Sequence, residues 1–173
     1  MDSVISTTLV SMNLWIFLLL LSIGVLWVLI DRFKPTKEKL KQMLKMGLFL
    51  AVFDLIFETI GLQFGFWQAT NSLFMLGPAV PIEVFLIATC AGAALNLIYP
   101  KFSLENALPR AFLIGGIGTF IEAMLVSVGN LVYLGGWTAY HAFVAYFLVF
   151  FFLHYANTAL FTNVPKAAKK NKR

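Results

Sequence analysis

The stretch "FDLIFETIG", Phe53 to Gly61, decides the fold. Asp54 and Glu58 stand four residues apart, so on a helix they are neighbours on one face. They are also the only charged residues between Met46 and Phe66, in a run dominated by Leu, Ile, Val and Phe. A hydrocarbon core of roughly 30 Å is crossed by about 20 apolar residues, which this run supplies. The segment therefore reads as a membrane helix whose two acids are turned away from lipid.

The rest of the chain agrees with that reading. Of its 173 residues, 60% are apolar, 16% aromatic and 12% charged, and the mean hydropathy is +0.85. Soluble domains lie nearer 45–50% apolar. The expected fold is an all-α, polytopic membrane bundle, a single membrane domain over residues 1–173. Five transmembrane helices are expected at about 13–30, 46–66, 79–99, 111–128 and 138–161, and a basic tail at 164–173. The first span has no basic residues before it and no small-residue cleavage site after it, so it reads as a helix and not a signal peptide. Cys90 is the single cysteine and lies within the third span, so no disulfide can form within one chain.

The formal net charge of +5 does not point to nucleic acid, because the basic residues flank hydrophobic spans. All 13 Lys and Arg fall in "DRFKPTKEKLKQMLK", "PKFSLENALPR" and "PKAAKKNKR", whereas "WQATNSLFMLGP" and "NLVYLGGW" carry no charge. The positive-inside rule then predicts a multi-pass protein of the plasma membrane with its N-terminus outside and its C-terminus in the cytoplasm. Trp67 and Trp137 would mark the outer interface, and Tyr99 the inner one.

The second and fourth spans share a pattern. Glu58, Gly61, Gly65 and Trp67 lead into "PAVPIEVF", and Glu122, Gly129, Gly135, Gly136 and Trp137 lead into "TAYHAF". This suggests a two-fold repeat of helical hairpins with the first span added in front. The pairs Gly61/Gly65, Ala88/Gly92 and Gly115/Gly118 are candidates for close helix packing within the bundle.

Four carboxylates lie within the expected spans: Asp54, Glu58, Glu83 and Glu122. No Lys or Arg accompanies them there. A charged side chain at mid-bilayer costs about 2.5–3.5 kcal/mol on insertion scales, so these acids should face the bundle interior. At 1.5 Å per residue, Glu58 and Glu122 lie at similar depths, roughly 17–18 Å from the basic end. Glu83 and His141 fall about one turn below the opposite ends of their helices. Glu83 follows Pro78 and Pro81 in a first helical turn, where exposed N–H groups favour the ionised form. Glu58 and Glu122 lack such partners and are expected to hold protons. His141 reads as an interfacial residue, and His154, near Asn157, as packing at the inner interface.

"FDLIFETIG" followed by "GFW", and then "VPIEVF" opening the next helix, resembles the small membrane-embedded lycopene cyclase domains and, more loosely, the carotenoid hydratases. The resemblance covers about Phe53 to Phe85, with a fainter echo from Glu122 to His141. Val84 stands where that family's pattern has a second glutamate. The resemblance thus implies isomerisation, cyclisation or hydration of a polyene or isoprenoid lipid, not cyclisation alone. It also implies catalytic roles for Glu58, Glu122, Glu83 and Asp54, with Trp67, Trp137 and His141 contacting substrate. Neither cofactor nor metal is expected. Two other classes fit the same residues. One is a proton or cation transporter or channel subunit; the other is an accessory subunit whose acids meet a partner in a homo-oligomer or membrane complex.

Overall fold

The computed structural model describes residues 2–161 apart from 73, 78 and 79, with side chains from residue 14 onward. The expected basic tail at 164–173 and the residues expected to open the third span lie outside the described residues. The described residues form five α-helices: α1 (Asp2–Phe33), α2 (Lys37–Gln63), α3 (Ile82–Ile98), α4 (Leu104–Ser127) and α5 (Ala139–Ala156), the last running into a π-helical turn at Asn157–Phe161. Short strands β1 (Trp67–Ala69), β2 (Met75–Leu76), β3 (Val80–Pro81) and β4 (Leu131–Tyr133) fill the connections. Among the described residues, three stretches are long and apolar enough to cross a membrane: Leu14–Phe33, Leu104–Ser127 and Ala139–Phe161. Ile82–Ile98 is a shorter apolar helix.

Two helices begin well before their apolar runs. Thr36 caps α2, its side chain accepting from the Lys39 N–H at 3.3 Å, and the Lys, Glu and Leu residues that follow are good helix formers. Helix α4 starts at Leu104 and contains Pro109. That proline removes one backbone donor near an exposed helix end, where the freed carbonyl can reach solvent.

The helices form two leaves. In the first, α1 and α2 both pack on α3; in the second, α4 packs on α5. Gly47 and Gly92 set the α2–α3 approach: a Cβ on Gly92 would lie 2.7 Å from the Met46 carbonyl. Gly115 and Gly118 admit Phe143 and Tyr146 of α5. Gly61 belongs to the same class, since a Cβ there would overlap the Trp67 indole. Gly65 does not: it turns the chain at φ +66 with open space where a Cβ would stand, so the expected Gly61/Gly65 packing pair divides into one contact residue and one turn residue.

The leaves are clasped at their two ends. At one end β1 pairs antiparallel with β4, Gln68 opposite Val132. Thr70 N–H donates to the Asn130 carbonyl and Leu134 N–H to the Phe66 carbonyl, both at 2.8 Å. These bonds are images of one another under a local two-fold axis. The offset that carries Gly65 to Gly129, both at positive φ, also carries Gln68 to Val132 and Glu58 to Glu122. The repeat across this region thus runs without gaps, and its register sets Leu131, not Trp137, equivalent to Trp67. At the other end Asn96 donates to Asn157 Oδ1 at 2.6 Å, and Asn157 donates to the Tyr99 carbonyl at 2.9 Å. Lys39 Nζ donates to the Asn96 carbonyl at 2.7 Å, and burial moves this amine below the usual lysine range. Asn157→Ala strips the acceptor from a buried amide and is expected to destabilise the fold by about 1–3 kcal/mol, read as a lower midpoint in detergent-titrated unfolding.

Candidate functional site

Between the two leaves lies a cavity of about 500 Å³ to which all five helices contribute. Asp54 and Glu58 enter it from α2, Glu122 from α4 and Tyr146 from α5. The sequence places the two glutamates at similar depth, and the local two-fold makes them equivalent; the cavity is where that axis brings them together.

Their surroundings differ. The Trp67 indole N–H donates to Glu58 Oε2 at 2.5 Å, and Asp54 is the neighbouring acid one turn away. Asp54 Oδ2 is buried and has no hydrogen-bond partner. Under the repeat, Leu131 replaces Trp67 and Gly118 replaces Asp54, so Glu122 has neither an indole donor from its strand nor a second acid one turn away on its helix. It is faced by the Tyr133 and Tyr146 hydroxyls and the Trp137 N–H. Tyr133 Oη and Trp137 Nε1 remain buried without closing hydrogen bonds of full geometry. Burial, reinforced by Glu122, pushes the Tyr133 hydroxyl above its usual range, which keeps it a neutral donor. One duplicated position therefore carries two differently furnished acids.

Trp67 and Trp137 form the aromatic wall. Their ring centroids are 4.5 Å apart with planes inclined by 56°, and Phe57 lies 5.5 Å from Trp67. Trp67 is only 6% exposed, so it is an inward-facing residue and not the lipid-boundary marker that its sequence position suggests. Its hydrogen bond to Glu58 supplies the reason. Trp15 of α1 completes this end of the cavity, its indole N–H donating to the Thr70 carbonyl at 3.1 Å. Away from the acids the wall becomes aliphatic, with Val25, Ala94, Ile117 and Val149, and it includes Cys90.

Two expected site residues lie elsewhere. Glu83 is buried at 2% exposure in the first turn of α3, where its Oε2 accepts from the Ser72 hydroxyl at 2.7 Å. Its neighbour Val84 lines the cavity and Glu83 does not. His141 is exposed; its Nδ1 lies 2.9 Å from the Thr138 hydroxyl, and its ring stacks on Trp137 at 5.4 Å. His141→Ala is accordingly expected to change stability by no more than about 0.5 kcal/mol. A thermal melt beside the parent protein checks this.

Trp15, Tyr133 and Tyr146 are the site residues that the sequence reading missed. Tyr146 carried one usable signal, a hydroxyl in the middle of an otherwise apolar run. Among the described residues, no group of three or more His, Cys, Asp or Glu is arranged to hold a metal ion. The chemistry on offer is a set of sheltered carboxyl groups beside indole and phenol rings, in a chamber walled by hydrocarbon. No family model, curated protein or solved structure matches the chain.

Proposed function

We propose that the cavity binds a polyene or isoprenoid lipid and catalyses its acid-dependent isomerisation, cyclisation or hydration. The observation that carries this reading is that Glu58 and Glu122, from different leaves, line one largely apolar cavity. Proton transfer to a carbon–carbon double bond needs a carboxylic acid kept protonated until use, surroundings that tolerate a carbocation, and little water. Aromatic faces attract positive charge, and here the two indoles stand beside the acids.

In the proposed step Glu122 or Glu58 donates a proton to a terminal double bond, leaving a carbocation on the adjacent carbon. For cyclisation, the electron pair of an internal double bond forms the new carbon–carbon bond and moves the positive charge. The deprotonated glutamate then removes a proton from the carbon next to the new cation, either directly or by way of Asp54, which hands that proton back to it. The product is an isomer of the substrate, and the acids return to their starting protonation. For hydration, a water oxygen bonds to the first cation and its extra proton returns to the carboxylate.

The membrane setting is part of the proposal. All five helices cross the plasma membrane, with the N-terminus outside and the C-terminus in the cytoplasm. The grouping of basic residues supports this orientation. Helix α3, with 17 residues, is about 26 Å long at 1.5 Å per residue, close to the hydrocarbon thickness. The resemblance of Phe53–Phe85 to lycopene cyclase domains points to the same chemistry. The test is extraction of pigments from cells that make both the protein and a linear polyene. A cyclic, isomerised or hydrated product that depends on Glu58 and Glu122 supports the reading. Unchanged polyene together with acid-dependent proton flux in vesicles replaces it with transport.

A further inference from the structure

We propose that the same cavity is a receptor site for a lipophilic organic cation, an alkylammonium whose head lies among Asp54, Glu58 and Glu122 and whose chain follows the aliphatic wall. The inference shares its site with the polyene reading but requires no catalytic step.

Three independent features carry it. First, the charge inventory is one-sided: the lining includes three carboxyl groups and no Lys, Arg or His. A cation seated among these acids takes the place of the proton on one of them, and that proton is released on binding. Second, Asp54 Oδ2 is fully enclosed and has no hydrogen-bond partner, although it belongs to a cavity-lining side chain. An enclosed acceptor without a donor is costly, and rotation of the Asp54 carboxyl toward the cavity would bring that oxygen to an ammonium head and relieve the cost. Third, the rings are arranged as a corner. Trp67 and Trp137, both in the cavity wall, meet at 56°, and Phe57 adjoins Trp67 at 5.5 Å, which gathers aromatic rings beside the acids. Aromatic cages backed by carboxylates are a general means of holding quaternary ammonium groups.

The remaining wall sets the rest of the ligand. From the acids the cavity continues past Leu21 and Val25 on α1, Ala91 and Ala94 on α3, and Val149 on α5. Those side chains offer no hydrogen bond to a polar tail, and the Ser22 hydroxyl on the same stretch already donates to the Leu19 carbonyl at 2.8 Å. A volume of about 500 Å³ lies within the range of drug-sized ligand sites. The matching molecule has one cationic head and one unbranched apolar chain. A polyamine would leave charges stranded against hydrocarbon, and an inorganic cation would leave most of the cavity unfilled.

The probe is octyltrimethylammonium, compared with 2,2-dimethyldecane, which replaces the charged nitrogen by carbon at the same shape. Binding is followed by tryptophan fluorescence in a neutral maltoside detergent, using Trp27→Phe protein. Trp27 is 73% exposed, and its removal leaves the three cavity indoles as the reporters. The expected result is a saturable change with the ammonium at a concentration at least about tenfold below that needed for the isostere, the preference that a desolvated cation–π contact supplies. That preference should vanish in the Asp54→Asn, Glu58→Gln, Glu122→Gln triple variant. Equal responses to the two probes, or a preference that survives in the folded triple variant, overturn the proposal. The comparison on the parent protein decides the matter even where the triple variant does not fold. Ammonium binding without any polyene product leaves this inference standing and removes the catalytic one; product formation without charge preference does the reverse.

Discussion

Replacing Glu122 with glutamine is expected to lower polyene conversion by about 10²–10⁴-fold, the usual contribution of a positioned general acid. The substitution preserves shape and hydrogen-bonding capacity. The Tyr133, Tyr146 and Trp137 donors around this position can still approach an amide oxygen, so the fold should persist while the transferable proton is lost. Glu58→Gln should have an effect of the same order, because the Trp67 N–H can still donate to the amide carbonyl. If the two acids serve one reaction, the double variant will fall little below the weaker single variant, since residues that act as a unit are strongly non-additive. Product per unit of membrane-inserted protein is the measurement. Full conversion by both single variants would remove the acids from the chemistry.

The largest stability effect is expected at Trp67. Its side chain is buried, lies against Phe57, Phe66 and Trp137, covers Gly61 and gives its N–H to Glu58. It also begins β1, half of the clasp between the leaves. Trp67→Ala should therefore cost about 3–5 kcal/mol, the range for deleting a large buried ring. Trp67→Phe keeps much of the packing but leaves Glu58 without its donor, at a cost of about 1–3 kcal/mol. Unfolding titrations in mixed detergent separate the two. An alanine variant as stable as the phenylalanine variant would show that Trp67 is not the keystone of the clasp.

How much of this was legible in the sequence follows from particular residues. The acids of "FDLIFETIG" could be read because an apolar run carrying two carboxylates must shelter them, and Glu122 could be matched to Glu58 by depth alone. The existence of a repeat was legible, but its register was not. Two prominent tryptophans invited a Trp67–Trp137 alignment, whereas the structural equivalence is carried by the less conspicuous turn glycines Gly65 and Gly129. Helix α5 is apolar on nearly every side, so periodicity cannot say which face turns inward, and Tyr146 was passed over. Glu83 misled for a related reason: a carboxylate in a first helical turn fits a site or a local bond equally well, and the Ser72 hydroxyl is a contact that no spacing rule announces.

The central claim is that the carboxyl groups of the two leaves share one poorly hydrated chamber. Infrared difference spectroscopy of the protonated-carboxyl stretch tests it most directly, comparing the parent protein with Glu58→Gln, Glu122→Gln and the double variant. Sharing predicts that each single substitution removes one band and also shifts the band of the acid that remains, so that the four spectra do not add. Two bands that disappear independently, each indifferent to the other substitution, would mean that Glu58 and Glu122 occupy separate environments and would contradict the account.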